Sequence, residues 1–311
     1  MPFFSVVIPL YNKEEQIENT LKNVLNQSFS DFEVIIVNDG STDKSLQTAA
    51  SVSDSRIQIY SQKNAGASSA RNLGITKSSS KYIALLDADD TWYPNHLEEH
   101  HKSIIRFTDG DLFCNAYALK LSASHIENAT YNIETKNEPH IITDYFKAST
   151  IHPIGWTSAL VIKKSAFDAI GGFNDTIISG QDLDLLIRFG LKKTVVFNPT
   201  ITCYYDKTVQ NSLSKENHQE GKYLLFNSFT DEELNNKSLH LYLTLNRYSL
   251  AIQCKRAKNK KTFKKLLPEI DTSLLNWKQR LLLQTPSSLV ILLKKIHLFL
   301  ISKGFYVSSY K

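Results

Sequence analysis

The stretch Tyr82-Ile83-Ala84-Leu85-Leu86-Asp87-Ala88-Asp89-Asp90 passes abruptly from an apolar run into three carboxylates. A short apolar run that ends this way reads as a buried strand, and the aspartates as its carboxyl edge. Clustered anions repel each other and call for a counter-charge. A divalent metal is the simplest partner, because hard cations take carboxylate oxygens. In an open α/β sheet, ligands bind outside the carboxyl ends of the strands, where these aspartates fall. The stretch is read as a metal-assisted site for a phosphate-bearing ligand.

On either side of it, strand and helix alternate. Phe4–Leu10 is a continuous apolar strand, and Glu14–Leu25 carries Ile17, Leu21, Val24 and Leu25 at helical spacing. Phe32–Val37 reads as a strand, Asp43–Ala50 as a short helix, Ile57–Tyr60 as a strand and Ala67–Ile75 as a helix. A further helix runs from Pro94 to about Arg106. This alternation predicts an α/β fold with a Rossmann-like, mostly parallel sheet flanked by helices. Residues 109–160 are less regular, with a strand at Leu112–Tyr117 and a polar surface loop at Asn128–Pro139. Trp156–Ile162 reads as a strand leading into a helix at Lys164–Ile170, which Gly171-Gly172 ends. Asp182–Phe189 is a short helix, and Thr194–Tyr205 holds one or two strands. Lys207–Gly221 is polar and expected to be mobile, and from Lys222 onward the chain reads mainly as helices.

The 311 residues are 42% hydrophobic and 22% charged, an ordinary globular balance. Met1-Pro2-Phe3-Phe4-Ser5 lacks the basic start of a signal peptide. Cys114, Cys203 and Cys254 are odd in number and widely spaced, with neither a disulfide framework nor a zinc pattern, which suits a reducing cytoplasm. The net charge of +5 hides an asymmetry. Residues 1–251 hold 23 Lys and Arg against 29 Asp and Glu, whereas residues 252–311 hold 13 against Glu269 and Asp271 alone, a net +11. Such a tail points to an anionic partner.

Three other motifs fall at the same predicted sheet edge. Ser5-Val6-Val7-Ile8-Pro9-Leu10-Tyr11-Asn12 closes the first strand, and Pro9, which cannot donate to a ladder, marks where it leaves the sheet. Tyr11 then either stacks on a base or packs beneath a loop. Val37-Asn38-Asp39-Gly40-Ser41-Thr42-Asp43 closes the second strand with turn and helix-cap chemistry. Asp39 either accepts a hydrogen bond from a base or serves the turn. Asn64-Ala65-Gly66 and Ala70-Arg71-Asn72-Leu73-Gly74 open a helix with small residues that suit close approach of phosphate. Arg71 pairs with a diphosphate, with the aspartates, or with neither.

Taken together, these motifs resemble the family 2 glycosyltransferases, which have the glycosyltransferase A-type fold. The resemblance covers roughly residues 3–205. It implies that Pro9, Tyr11 and Asp39 hold the nucleotide base. It makes Asp87 and Asp89 the family's Asp-x-Asp motif, Asp87 toward the ribose or donor sugar and Asp89 on Mn²⁺ or Mg²⁺. Gly180-Gln181-Asp182-Leu183-Asp184-Leu185-Leu186 resembles the family's base motif, with Asp182 at the position of the catalytic base. The physics agrees, since a helix N-terminus favours an ionised carboxylate. Asp184 lies roughly 200° further around the helix and cannot face the same site. Gln181 stands where Glu is usual, which keeps the hydrogen bonds and loses a charge. Trp156 is a candidate for stacking on an acceptor sugar, or a core residue. A segment from Gln210 to His218 is a candidate lid, with His218 a candidate further metal ligand or a solvated histidine. Trp92 is expected to pack beneath the aspartate loop.

The expected organisation is a catalytic unit over 1–221 and a helical basic region over 222–311. Within the first, 1–108 binds the nucleotide sugar and 109–221 carries the acceptor and base. The resemblance implies inverting, metal-dependent transfer of a sugar from a nucleoside diphosphate sugar, a UDP-sugar by expectation, to a hydroxyl of a glycan or lipid-linked acceptor, in bacterial surface polysaccharide synthesis.

Lys255-Arg256, Lys258, Lys260-Lys261 and Lys264-Lys265 form a basic cluster, and Ser288–Ile301 is an interrupted apolar segment. The latter is too short to span a bilayer, which needs about 20 apolar residues. It either lies against anionic lipid at the inner face of the cytoplasmic membrane or packs on the protein. No nucleic-acid recognition motif accompanies the charge. A nucleotidyltransferase would need a glycine-rich basic loop after the first strand, where Leu10-Tyr11-Asn12-Lys13-Glu14-Glu15 stands. No Gly-x-Gly-x-x-Gly or Walker pattern is present, so dehydrogenase and P-loop readings fail. A transferase-like module that binds without turnover would not need Asp87, Asp89 and Asp182 together.

Overall fold

In the computed structural model, residues 1–302 are described except 123, 124, 135, 207 and 209–217. The expected lid from Gln210 therefore lies outside the described residues up to His218. Chain order runs β1 (Phe4–Leu10), α1 (Ile17–Leu25), β2 (Phe32–Asn38), α2 (Ser45–Ser51), β3 (Ile57–Ser61), α3 (Ala67–Lys77), β4 (Tyr82–Leu85), β5 (Thr91–Trp92) and α4 (His96–Arg106). It continues with β6 (Leu112–Ser122), β7 (His125–Asn128), β8 (His140–Ile141), α5 (Tyr145–Ala148), β9 (Leu160–Lys163), α6 (Lys164–Ala169), α7 (Gln181–Lys192) and β10 (Val195–Asp206). The helices α8 (Gln219–Asn227), α9 (Thr230–Leu234), α10 (Lys237–Arg256), α11 (Lys260–Leu266), α12 (Trp277–Gln284) and α13 (Ser287–Ser302) complete it.

These strands form one sheet in the order β3-β2-β1-β4-β9-β6-β10-β5, with β7 on β6 and β8 on β10. Its first half is parallel, β1 aligning Phe4 with Phe32 of β2 and with Tyr82 of β4. Across β9 the pairing turns antiparallel, and β6 and β10 are again parallel to each other. β1 shows why the apolar runs are continuous: Phe4, Val6, Ile8 and Leu10 enter one core and Val7 the other. A sheet covered on both faces buries nearly all of its central strands, and in β1 only Pro9, at the cavity, is half-buried. The first core is closed by α1, through Ile17, Leu21 and Val24, and by α4. The second is closed by α3, α6 and α7, and it continues into α8 and α10 through Leu225, Phe226, Leu239, Tyr242 and Leu243. The helical C-terminal region thus shares a core with the sheet.

Two differences from the sequence reading have local causes. The expected strand Trp156–Ile162 begins only at Leu160, because Thr157–Ala159 form a 3₁₀ turn closed by the Ala159 amide on the Trp156 carbonyl at 2.7 Å. The turn frees Ser158 to donate to Asp90 at 2.6 Å. The aspartate run, in turn, ends in β5, where Thr91 and Trp92 lie antiparallel on Tyr204 and Cys203 of β10. Among the described residues no helix is long and apolar enough to cross a membrane.

Candidate active site

The carboxyl ends of β1, β2 and β4 open onto one cavity of about 840 Å³. Pro9, Tyr11, Asp39, Arg71, Asp87, Asp89, Trp156, Gln181 and Asp182 all line it. His218 does not; it sits at the start of α8.

The loops after β1 and β2 are stitched together. Asn12, with φ of 51°, accepts the Thr42 amide at 2.9 Å, and the Lys13 amide donates to Ser45 at 2.6 Å. This leaves Tyr11 46% exposed at the cavity. Gly40 has φ of 71°, and a Cβ there would come within 2.9 Å of the Asn64 nitrogen, so the turn requires glycine. Asp39 is buried and accepts from Gln62 Nε2 at 2.7 Å and from the Ala65 and Gly66 amides at 2.8 and 2.9 Å. It anchors the turn before α3 and keeps roughly one acceptor position of an ionised carboxylate's four.

The aspartate run has counter-charges within the chain: the sequence reading took a divalent metal as the simplest partner and Arg71 as another, and did not name Lys13 as one. Lys13 Nζ pairs with Asp89 at 2.7 Å, and Arg71 pairs with Asp87. Arg71 is buried, its guanidinium 5.4 Å from the Phe173 ring, and its Nε–H has no partner among the described residues. Asp90 is buried beneath them, bonded by Ser158, whose Oγ also accepts the Asp87 amide at 3.0 Å. Burial, then the adjacent charges of Asp87 and Asp89, push the Asp90 carboxyl well above the usual range. Trp92 is buried, stacked on His96 at 4.1 Å, and donates to the Ser158 carbonyl at 2.6 Å. Among the described residues no cluster of three His, Cys, Asp or Glu is arranged to hold a metal ion by itself. The donor set does suit a cation shared with a ligand. Mg²⁺ and related ions are commonly held by one or two carboxylates, with phosphate and water supplying the remaining oxygens.

The far wall comes from α7. Gly180, in the left-handed region at φ of 94°, turns the chain into the helix and places Asp182 in its first turn. Asp182 Oδ1 accepts the Leu183 amide at 2.9 Å. Asp184, by contrast, is buried and paired with Arg188, whose Nε reaches it at 3.0 Å and which also donates to the Ile170 and Gly172 carbonyls at 2.7 Å. Gln181 donates to the Ile178 carbonyl at 2.6 Å. Trp156 is half-buried between the Tyr205 ring at 5.0 Å and the Tyr117 ring at 5.6 Å. Asp206 also lines the cavity but is held by Lys120 at 2.7 Å. Asn72 joins the two halves: its side chain donates to the Phe173 carbonyl at 2.9 Å and accepts the Phe173 amide at 3.0 Å.

The sequence reading missed Lys13, Ser158 and the contribution of α8 and α10, from which Lys222, Phe226, Asn246, Ser249 and Gln253 line the cavity. Lys13 had a signal, a cation two residues past Tyr11 at the edge that holds the aspartates. The helical residues had none, because only the tertiary arrangement brings α10 over the cavity.

The glycosyl transferase family 2 model matches residues 5–171, more than half of the chain, and the chain belongs to that family. It is 52% identical over 95 residues to an uncharacterized glycosyltransferase of Rickettsia bellii, covering 30% of this chain and 14% of that protein. It is 28% identical over 199 residues to the uncharacterized glycosyltransferase RP339 of Rickettsia prowazekii, covering 63% and 61%. The chain thus spans less than two thirds of the length of these relatives. The crystal structure of S. aureus TarS 1-349 in complex with UDP-GlcNAc superposes with a TM-score of 0.68 at 16% identity, covering 98% of this chain and 93% of that one. That likeness establishes a glycosyltransferase A-type arrangement of the sheet and its helices.

Proposed function

We propose that the protein is an inverting, metal-dependent glycosyltransferase that moves a sugar from a nucleoside diphosphate sugar to a hydroxyl of a glycan or lipid-linked acceptor. The observation that carries this reading is the cavity itself. Around it lie the residues expected to bind a nucleotide sugar and, in the first turn of α7, the Asp182 carboxylate, which has no ion pair among the described residues. The complexes of TarS with UDP-GlcNAc and with UDP support a UDP-sugar as donor.

In this reading Tyr11 and Pro9 hold the base, and the remaining acceptor position of Asp39 takes a hydrogen bond from it. Arg71, in the cavity wall and paired with Asp87, supplies positive charge on the donor side. Asp89, with Asp87 beside it, would hold Mn²⁺ or Mg²⁺, which when bound supplies counter-charge to the departing diphosphate. Lys13, which pairs with Asp89, would yield that carboxylate to the cation. Asp182 accepts the proton of the acceptor hydroxyl as its oxygen attacks the anomeric carbon. Asp184 and Asp206 are paired with Arg188 and Lys120, which supports Asp182 as the base of a single displacement that inverts the configuration. Trp156 stacks on the acceptor ring. The acceptor in this reading belongs to bacterial surface polysaccharide or glycolipid assembly.

The test is a screen of nucleotide sugars for hydrolysis with and without Mn²⁺, followed by NMR of the anomeric proton in a transfer product. Metal-stimulated turnover of a UDP-sugar with inversion is the expected result. Retention of configuration, or turnover unaffected by chelator, contradicts the mechanism.

A further inference from the structure

The C-terminal helices place their apolar residues outward. In α13 the side facing the protein carries Val290, which is buried, while Leu289, Leu292, Leu293 and Ile296 are 41 to 51% exposed. Their spacing of three and four makes them one continuous stripe along the helix. The neighbouring α12 adds Trp277, 69% exposed, and Leu281 one turn later. A soluble helix normally turns such a stripe inward.

The surroundings of the stripe are cationic. Lys255 is buried at the end of α10 and donates to the carbonyls of Leu283 and Thr285, the latter at 2.6 Å, where α12 hands over to α13. This fastens both helices to the end of α10, from which the basic residues project. Arg256 lies close enough to α13 to help hold the His297 imidazole below its usual value, after burial and Lys294. Arg256, Lys258, Lys260, Lys261 and Lys264 are exposed and form no ion pair with any described residue. The two acidic residues of the region are engaged elsewhere, Glu269 with Tyr223 and Asn227, and Asp271 with Ser273. The result is an exposed apolar stripe on α13, an exposed tryptophan on α12 and a net-positive rim in which Lys265 is paired with Glu220 of α8.

We propose that the α12–α13 face, with the basic end of α10 and α11, docks on the surface of an anionic lipid bilayer. The stripe enters the interface, where an exposed tryptophan also belongs, and the lysines meet the headgroups. Charge complementarity selects a bilayer over a second copy of the chain, since two copies would oppose like charges. The surface is separate from the cavity and does not depend on the catalytic reading.

Flotation of the full chain with vesicles tests this, using phosphatidylcholine alone and phosphatidylcholine with about 30 mol% phosphatidylglycerol, a range in which each basic residue near the surface strengthens binding measurably. Recovery with the anionic vesicles only is expected. Lys260→Gln with Lys261→Gln should weaken partitioning by roughly thirtyfold. Leu292→Glu with Ile296→Glu should abolish it and leave the melting temperature and donor hydrolysis unchanged. Absence of binding, equal recovery with neutral vesicles, or a stripe variant that still floats overturns the proposal. So does light scattering that shows a dimer which the stripe variant dissociates, in which case the face joins two copies.

Discussion

In the proposed mechanism, Lys13 and Asp89 form the contact on which metal use would turn. A lysine 2.7 Å from the expected metal ligand competes with the cation for the same oxygens. Lys13→Ala should therefore tighten the apparent Mn²⁺ affinity, read by calorimetry in the presence of UDP. Unchanged or weaker affinity would remove Asp89 from the metal site. The three aspartates and their strand were legible because strand-ending carboxylates are unusual. The lysine was legible only as a cation at that edge, because its pairing depends on the loop conformation that Asn12 sets. A second residue governs acid stability. His100 is fully buried, neither ring nitrogen has a partner among the described residues, and burial holds its pKa down to about 3. Its folded value lies below the unfolded one near 6.5, so its contribution is complete above that pH and is lost as pH falls toward 3. His100→Leu should remove about 2 kcal/mol of the stability lost between pH 7 and pH 5, measured by urea denaturation. An equal loss in both proteins would contradict the assignment.

Elements were legible in proportion to their length and burial. β1, β2 and β4 are continuous apolar runs because both sheet faces are covered, and α1 and α4 display their buried stripes at helical spacing. β5, β7 and β8, at two to four residues, are too short to carry a period, and they exist because β10 and β6 offer free edges. The decisive local element is the entry to α7. Gly180 has φ of 94°, and a Cβ would approach Leu225 Cδ2 to 3.0 Å. Gly180→Ala should cost about 1–2 kcal/mol and shift the first turn that holds Asp182. The expected signature is a fall in transfer rate with donor affinity unchanged, by single-turnover kinetics and calorimetry. A fall in donor affinity alone would place α7 on the donor side.

At the scale of the whole molecule, the sheet edge contributes half of the cavity and the helices the rest. The first half was legible from four motifs that alternation aligned on one edge. The contribution of α8 and α10 was not, since Asn246, Ser249 and Gln253 are unremarkable polar positions until the second core draws α10 against α5 and α8. This division gives the account its central claim: one face of the cavity holds the donor, and the other, through Asp182, deprotonates the acceptor. The most direct measurement compares Asp182→Asn with the wild type for both UDP-sugar binding and sugar transfer. The account predicts retained binding, within about twofold, with transfer reduced by about a thousandfold or more. Transfer at the wild-type rate would contradict it.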